Sequence, residues 1–137
     1  MKDTQLSKKS TEETLRSIAS QAAEKIGKKV AKKIGEIHTF NYKSSTTDLV
    51  TEIDKWSEKR ITEYVNSRRG DDEIICEEGT YIQGKTNIRW YIDPIDGTTN
   101  FVYGHPGFSI SVGVEIDNET KVGAIYVPLL NELFSAS

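Results

Sequence analysis

The chemistry in this sequence centres on two aspartates three residues apart, in Trp90-Tyr91-Ile92-Asp93-Pro94-Ile95-Asp96-Gly97-Thr98-Thr99-Asn100-Phe101. A hydrophobic run ends in Asp93, Pro94 fixes the backbone, and Asp96 follows just before a Gly-Thr-Thr that can open a helix. Across such a turn both carboxylates can converge on one side, with the carbonyl of Ile95 between them. All-oxygen surroundings of this kind suit Mg2+, which takes carboxylates and carbonyls and keeps waters for a phosphate ligand. The amides of Gly97, Thr98 and Thr99 would point out of the helix start, where unpaired donors and the helix dipole favour an anion. A metal-ligand turn running into an anion-binding helix start is what phosphoryl chemistry requires.

Asp-Pro and Asp-Gly are also ordinary turn formers, so this spacing alone leaves a purely local role open. An EF-hand fits poorly, because alternate-position ligands and a terminal glutamate are both absent. A second acidic pair, Glu77-Glu78, follows the short apolar pattern Glu73-Ile74-Ile75-Cys76. If the strands ending near Cys76 and Asp93 are neighbours, Glu77, Asp93 and Asp96 form one acidic cluster. Clustered carboxylates repel one another unless a cation neutralises them. An exposed strand end is the alternative reading of Glu77-Glu78, since acids are seldom buried. Neither His38 nor His105 has a carboxylate or cysteine at ligand spacing, so both read as surface or loop residues. Cys76, inside an apolar run followed by acids, reads as a buried, inert thiol with a raised pKa. Trp56 and Trp90 read as core.

The elements that must carry these residues follow from periodicity. Residues 1–9 are polar and read as a loosely docked N-terminal tail, with the domain spanning 10–137. Ser10-Thr11-Glu12-Glu13 has the form of a capping box. Leu15, Ile18, Ala19, Ala22, Ala23, Ile26, Val30 and Ile34 then recur at steps of three and four, predicting a helix that stops at Gly35. A second helix is predicted from near Asp48 to about Ser67, with Leu49, Val50, Ile53, Trp56, Ile61, Tyr64 and Val65 on its apolar face. Strands are predicted at 73–77 and at 88–92, with a mobile loop from Glu77 through Gly84 between them. The alternation of Phe108, Ile110, Val112, Val114 and Ile116 with small or polar residues predicts a strand with one buried face. A turn at 117–120 leads to another strand over 121–127. A last strand starts at Leu133, close to the final residue, which suggests a sheet missing some of its covering elements. Helix, helix, then strands joined by short turns predicts an α+β fold, two N-terminal helices packed on a largely antiparallel sheet.

Composition narrows the function classes. The 137 residues suit one domain or part of a larger one. With 18 Lys+Arg against 21 Asp+Glu the net charge is −3, which argues against a nucleic-acid binder needing a basic face. No apolar run approaches the length of a membrane span, so no membrane partner is expected. A single cysteine excludes an internal disulfide and makes a reducing cytoplasm the simplest location.

The sequence resembles the inositol monophosphatase family, within the lithium-sensitive, Mg2+-dependent phosphatase superfamily. The resemblance rests on DPIDGTTNF at 93–101, the Glu77-Glu78 pair, DLVTEID at 48–54, Lys43-Ser44-Ser45 before it, and FSISVG at 108–113, in the family's order and spacing. It implies the N-terminal part of the layered αβαβα fold shared with fructose-1,6-bisphosphatase, and hydrolysis of a small phosphate monoester, inositol monophosphate or a similar sugar phosphate. It further implies that Glu77, Asp93 and the Ile95 carbonyl hold one Mg2+, with Asp93 and Asp96 sharing in a second. Glu77 with Thr98 would position and activate water, and Asp54 would hydrogen-bond Thr98. The amides of Gly97 and Thr98 would hold phosphate oxygens beside Thr99. Glu78 would stand just behind the ligands, and Lys43 would place a charge near a metal-positioning loop. A homodimer is implied as well. Family members continue into a second half that carries a further metal-ligand aspartate in a Trp-Asp pair and most of the sugar pocket. No Trp-Asp occurs here. The enzyme reading therefore stands beside a non-catalytic one, a metal- and phosphate-binding fragment that works through assembly with another chain.

Overall fold

The computed structural model describes residues 2–39, 46–97 and 107–137. Helices α1 (Lys2–Thr39) and α2 (Thr46–Arg68) precede six strands, β1 (Glu73–Cys76), β2 (Tyr81–Ile82), β3 (Ile88–Asp96), β4 (Ser109–Ile116), β5 (Glu119–Val127) and β6 (Glu132–Ala136). The strands form one sheet in the order β2-β1-β3-β4-β5-β6. Every neighbouring pair is antiparallel except β1 and β3, which run parallel. The expected α+β arrangement, two helices on a mostly antiparallel sheet, is what the chain adopts.

The apolar stripe of α1 is buried as the periodicity predicts, at Leu15, Ala19, Ala22, Ala23, Ile26, Val30 and Ile34, and it packs on β5, β4 and β6. It meets the inward residues Ile110, Val112 and Val114 of β4 and Val122, Ala124 and Tyr126 of β5. Two expectations about α1 need correction. The helix begins at Lys2, so Ser10 does not cap it. Residues 2–10 contain no glycine or proline and are mostly good helix formers, and the carbonyls of Ser7 and Ser10 accept from the Thr11 and Thr14 hydroxyls, each at 3.0 Å, inside the helix. At the other end the helix passes through Gly35 to Thr39, because the following Glu-Ile-His contains no breaker.

α2 follows its predicted bounds closely and lays Ile53, Ile61 and Val65 on the sheet beside β3. Trp90 is fully buried, as expected, whereas Trp56 is only partly covered. The segment predicted as a mobile loop instead contains β2, which pairs Ile74 with Ile82 and Ile75 with Tyr81. β3 runs four residues past its predicted end, through Pro94. The register shifts between Asp93 and Asp96, and an irregularity of this kind is where a strand tolerates a residue without an N–H. At the β4–β5 hairpin Asp117 and Asn118 take φ of 54° and 65°, the conformation two-residue hairpins favour.

Candidate functional site

Parallel β1 and β3 end side by side. Cys76 pairs with Ile92, and the Glu77 amide continues the ladder by donating to the Ile92 carbonyl at 3.0 Å. Glu77 is therefore placed next to Asp93, as the acidic-cluster expectation required. The Asp93 carboxyl is pushed up to about 7, first by burial, then by a hydrogen bond with Glu77, and further by the negative charges of Glu77 and Asp96. Two carboxyls can share a hydrogen bond only when one of them holds a proton. Asp93 Oδ1 is buried and has no hydrogen-bond partner. Asp96 is exposed and pairs in register with Ser109, while Asp93 pairs with Ser111. An open cavity of about 310 Å³ lies against Glu77, Asp93, Ser111 and Gly113.

From the opposite side, α2 brings up a second pair. Asp54 is 7% exposed and its carboxyl is also pushed up to about 7, by burial first, then by a hydrogen bond with Glu78 and the charges of Glu78, Glu58 and Glu77. Its Oδ1 is buried without a partner. One turn along, the Ser57 hydroxyl donates to the Pro94 carbonyl at 3.1 Å and locks α2 to the irregular part of β3. Glu58, 5% exposed, accepts from the Thr80 amide at 3.1 Å and from the Thr80 hydroxyl. Ser57 and Glu58 are not singled out by the apolar face of α2 or by the DLVTEID segment that ends at Asp54. Their spacing from Asp54, three and four residues, was the available signal.

Gly97 leaves β3 with φ of 81°, a left-handed conformation that costs a residue with a Cβ. Thr98, Thr99, Lys43 and His105, and with them the expected helix start, lie outside the described residues. Burial holds the Cys76 thiol up at about 11, in keeping with an inert thiol.

Among the described residues the acids thus associate as Glu77 with Asp93 and Asp54 with Glu78, with Asp96 acting on Asp93. No three of them close into a metal-ligating group. The donor set nonetheless fits a hard divalent cation, being all oxygen, with two buried carboxylate oxygens lacking partners. Both raised carboxyls mark a shortage of positive charge that such an ion would relieve.

A model of the inositol monophosphatase family matches residues 11–137. The chain belongs to the inositol monophosphatase family. Within it, the Nus factor SuhB of Pasteurella multocida is 45% identical over 123 residues, covering 87% of this chain and 45% of that protein. A fructose-1,6-bisphosphatase/inositol-1-monophosphatase of Thermotoga maritima is 39% identical over 102 residues, 74% of this chain and 39% of that one. Among solved structures, the SuhB protein of Bartonella henselae superimposes with a TM-score of 0.79 at 32% identity, over 90% of this chain and 48% of that one. Inositol monophosphatase II of Staphylococcus aureus gives 0.76 at 28% identity, over 90% and 45%. The chain spans less than half the length of each of these relatives. No helix among the described residues is long and apolar enough to cross a membrane.

Proposed function

We propose that this chain carries the cation- and phosphate-binding part of a Mg2+-dependent phosphoric monoester hydrolase, acting on inositol monophosphate or a similar sugar phosphate. The observation that carries the proposal is the pairing of Glu77 with Asp93 at the ends of two parallel strands, with Asp93 Oδ1 buried and unpartnered. Glu77, Asp93 and the Ile95 carbonyl would hold one Mg2+, and Asp93 and Asp96 would share in a second. When bound, Mg2+ supplies Lewis-acid polarisation of the phosphate and acidifies a water. The chain's own groups supply position and proton handling. Glu77 and Thr98 orient the attacking water, and Glu77 accepts its proton. Asp54, beside Glu78, would accept from the Thr98 hydroxyl and make that oxygen a better acceptor. The amides of Gly97 and Thr98 would hold phosphate oxygens beside Thr99, and Lys43 would add positive charge near them. The water oxygen would bond to phosphorus as the ester P–O bond breaks in line, and the departing alkoxide would take a proton from a second water; no enzyme–phosphate bond forms.

Phosphate release from inositol 1-phosphate with Mg2+, measured for the chain and for Asp93→Asn, tests this reading. The substitution should lower turnover by about a hundredfold or more. Equal turnover by both proteins would refute it. Lithium inhibition of the same assay belongs to the same reading. The setting we infer is cytoplasmic, from a single buried cysteine with no second one in the sequence to pair with. We infer a second copy of the chain as partner, the homodimer that the family resemblance implies.

A second reading has its own support in the relatives of 45%, 42% and 40% identity that carry the name Nus factor SuhB. On it the chain binds metal and phosphate without turnover and works through assembly with another protein. Mg2+ binding by calorimetry together with no phosphate release would select it.

A further inference from the structure

We propose that Glu58 is a positioning residue, which fixes the turn from Glu77 to Thr80 against α2 and so sets where the Glu77 and Glu78 carboxylates stand. The inference rests on the cation-binding reading of Glu77 given above.

Three successive turns of α2 contact this turn and the residue before it, Cys76. Asp54 hydrogen-bonds Glu78, Glu58 accepts from Thr80, and the Thr62 hydroxyl lies 3.4 Å from Cys76 Sγ. The three helix residues are spaced four apart, so they lie along one line of the helix face. Glu58 is the middle contact and the most demanding. Burying a carboxylate to 5% exposure costs free energy unless donors meet it, whereas burying an apolar side chain of its size is favourable. Both donors that do meet it come from Thr80, and both fall on Oε1, leaving Oε2 buried without a partner. Packing alone would be served as well by leucine or methionine at this position, so the acceptor is the feature that needs a reason.

The turn supplies the reason. Glu77, Glu78, Gly79 and Thr80 are all exposed, and Gly79 takes φ of 108°. At its start the turn is pinned to β3 by the Glu77 amide, and it is closed on itself by Gly79 to Cys76 at 3.1 Å and Cys76 to Thr80 at 2.9 Å. Glu58 is the side chain that ties its far end to a helix. It touches neither phosphate nor cation in this scheme and acts only through the turn.

The test compares Glu58→Ala, Glu58→Gln and Thr80→Val with the wild-type chain. It reads Mg2+ affinity by calorimetry, exchange of the Thr80 amide by NMR, and the thermal midpoint. Glu58→Ala should weaken Mg2+ binding by about tenfold to a hundredfold, as losses of groups orienting metal ligands do, and should speed Thr80 exchange by a similar factor. Glu58→Gln keeps the acceptor oxygen and should restore both to within about threefold. Thr80→Val removes one donor at an exposed position and should give an intermediate loss, which keeps the test decisive if Glu58→Ala does not fold. Wild-type affinity and exchange in Thr80→Val and Glu58→Ala would overturn the proposal. So would Glu58→Gln as weak as Glu58→Ala, since charge rather than the tether would then matter. A wild-type chain that binds no Mg2+ would instead overturn the hydrolase reading, and Thr80 exchange would still decide whether Glu58 holds the turn.

Discussion

The Glu77 amide donates to the Ile92 carbonyl at 3.0 Å, one residue beyond the last paired residue of β1. This single bond extends the parallel ladder just far enough to bring the Glu77 side chain to Asp93. Without a cation the two meet only with a proton between them, because burial, the hydrogen bond with Glu77 and the charges of Glu77 and Asp96 all favour a proton on Asp93. The fold accepts a local cost where a ligand would remove it.

That cost predicts an unusual pH dependence. Asp54 and Asp93 titrate near 7 in the folded chain, against about 4 when unfolded. Between those values the folded state binds more protons than the unfolded one, so stability falls as pH rises from about 4 to 7. In chelator, the thermal midpoint should drop across this window, and Asp93→Asn should flatten the drop. Mg2+ should raise the midpoint more at pH 8 than at pH 5, since it competes with the protons. A cation-free midpoint that climbs steadily from pH 4 to 7 would contradict the arrangement.

Local pattern made much of this legible. The two helices, the alternation of β4 and the grouping of acids around DPIDG all follow from spacing, because each is set by residues close in the chain. What stayed hidden depends on distant partners. The parallel pairing of β1 with β3 brings Glu77 to Asp93, yet no turn residue announces it, and the two-residue β2 that intervenes is too short to show a period. Pro94 reads as a strand end until the register shift beside it is known. Glu58 belongs to no local pattern, and its role shows only once Thr80 is found against it. Ser10 has good capping chemistry, and the helix-forming residues before it override that signal.

Replacing Gly97 should be costly in two ways. Its φ of 81° is left-handed, so Gly97→Ala should destabilise the chain by about 1–2 kcal/mol. On the hydrolase reading the same change displaces the amide offered to phosphate. Urea unfolding measures the first effect and a phosphate titration with Mg2+ present measures the second. Unchanged phosphate affinity alongside reduced stability would confine Gly97 to a backbone role.

Gly27 seats α1 on the sheet. A Cβ there would run into Tyr126 Cδ1 and lie 3.2 Å from Ile110 Cδ1. The Tyr126 ring has little room to retreat, being buried with its hydroxyl bonded to Asn131 Oδ1 at 2.7 Å. Gly27→Ala gains about 1 kcal/mol of helix propensity, but a contact this short makes overpacking, about 1–3 kcal/mol, the larger effect. The variant should be less stable than wild type. Tyr126→Leu in the same background should recover part of the loss, giving a coupling that a double-mutant cycle by urea unfolding can read.

Asp72 offers a change that separates stability from the candidate site. It is 1% exposed and accepts from Arg69 Nε at 2.6 Å and Nη2 at 3.1 Å, from the Thr86 hydroxyl at 2.7 Å and from Trp90 Nε1 at 3.0 Å. The residue just after α2, the approach to β3 and the core indole are thereby joined at the entry to β1, at the end of that strand away from Glu77. Asp72→Ala leaves the buried indole N–H without a partner and the part-buried guanidinium without a counter-charge. Solvent reaches Arg69, so the cost should sit near the lower end for a broken buried pair, about 3 kcal/mol. Asp72→Asn keeps the shape and one acceptor oxygen and should cost less, about 1–2 kcal/mol. Mg2+ affinity, measured well below the lowered thermal midpoint, should stay within about twofold of wild type in both variants, a difference below about 0.4 kcal/mol. A large fall in affinity with little loss of stability would show that the two ends of β1 are coupled, and that the acids after Cys76 depend on how the strand enters the sheet.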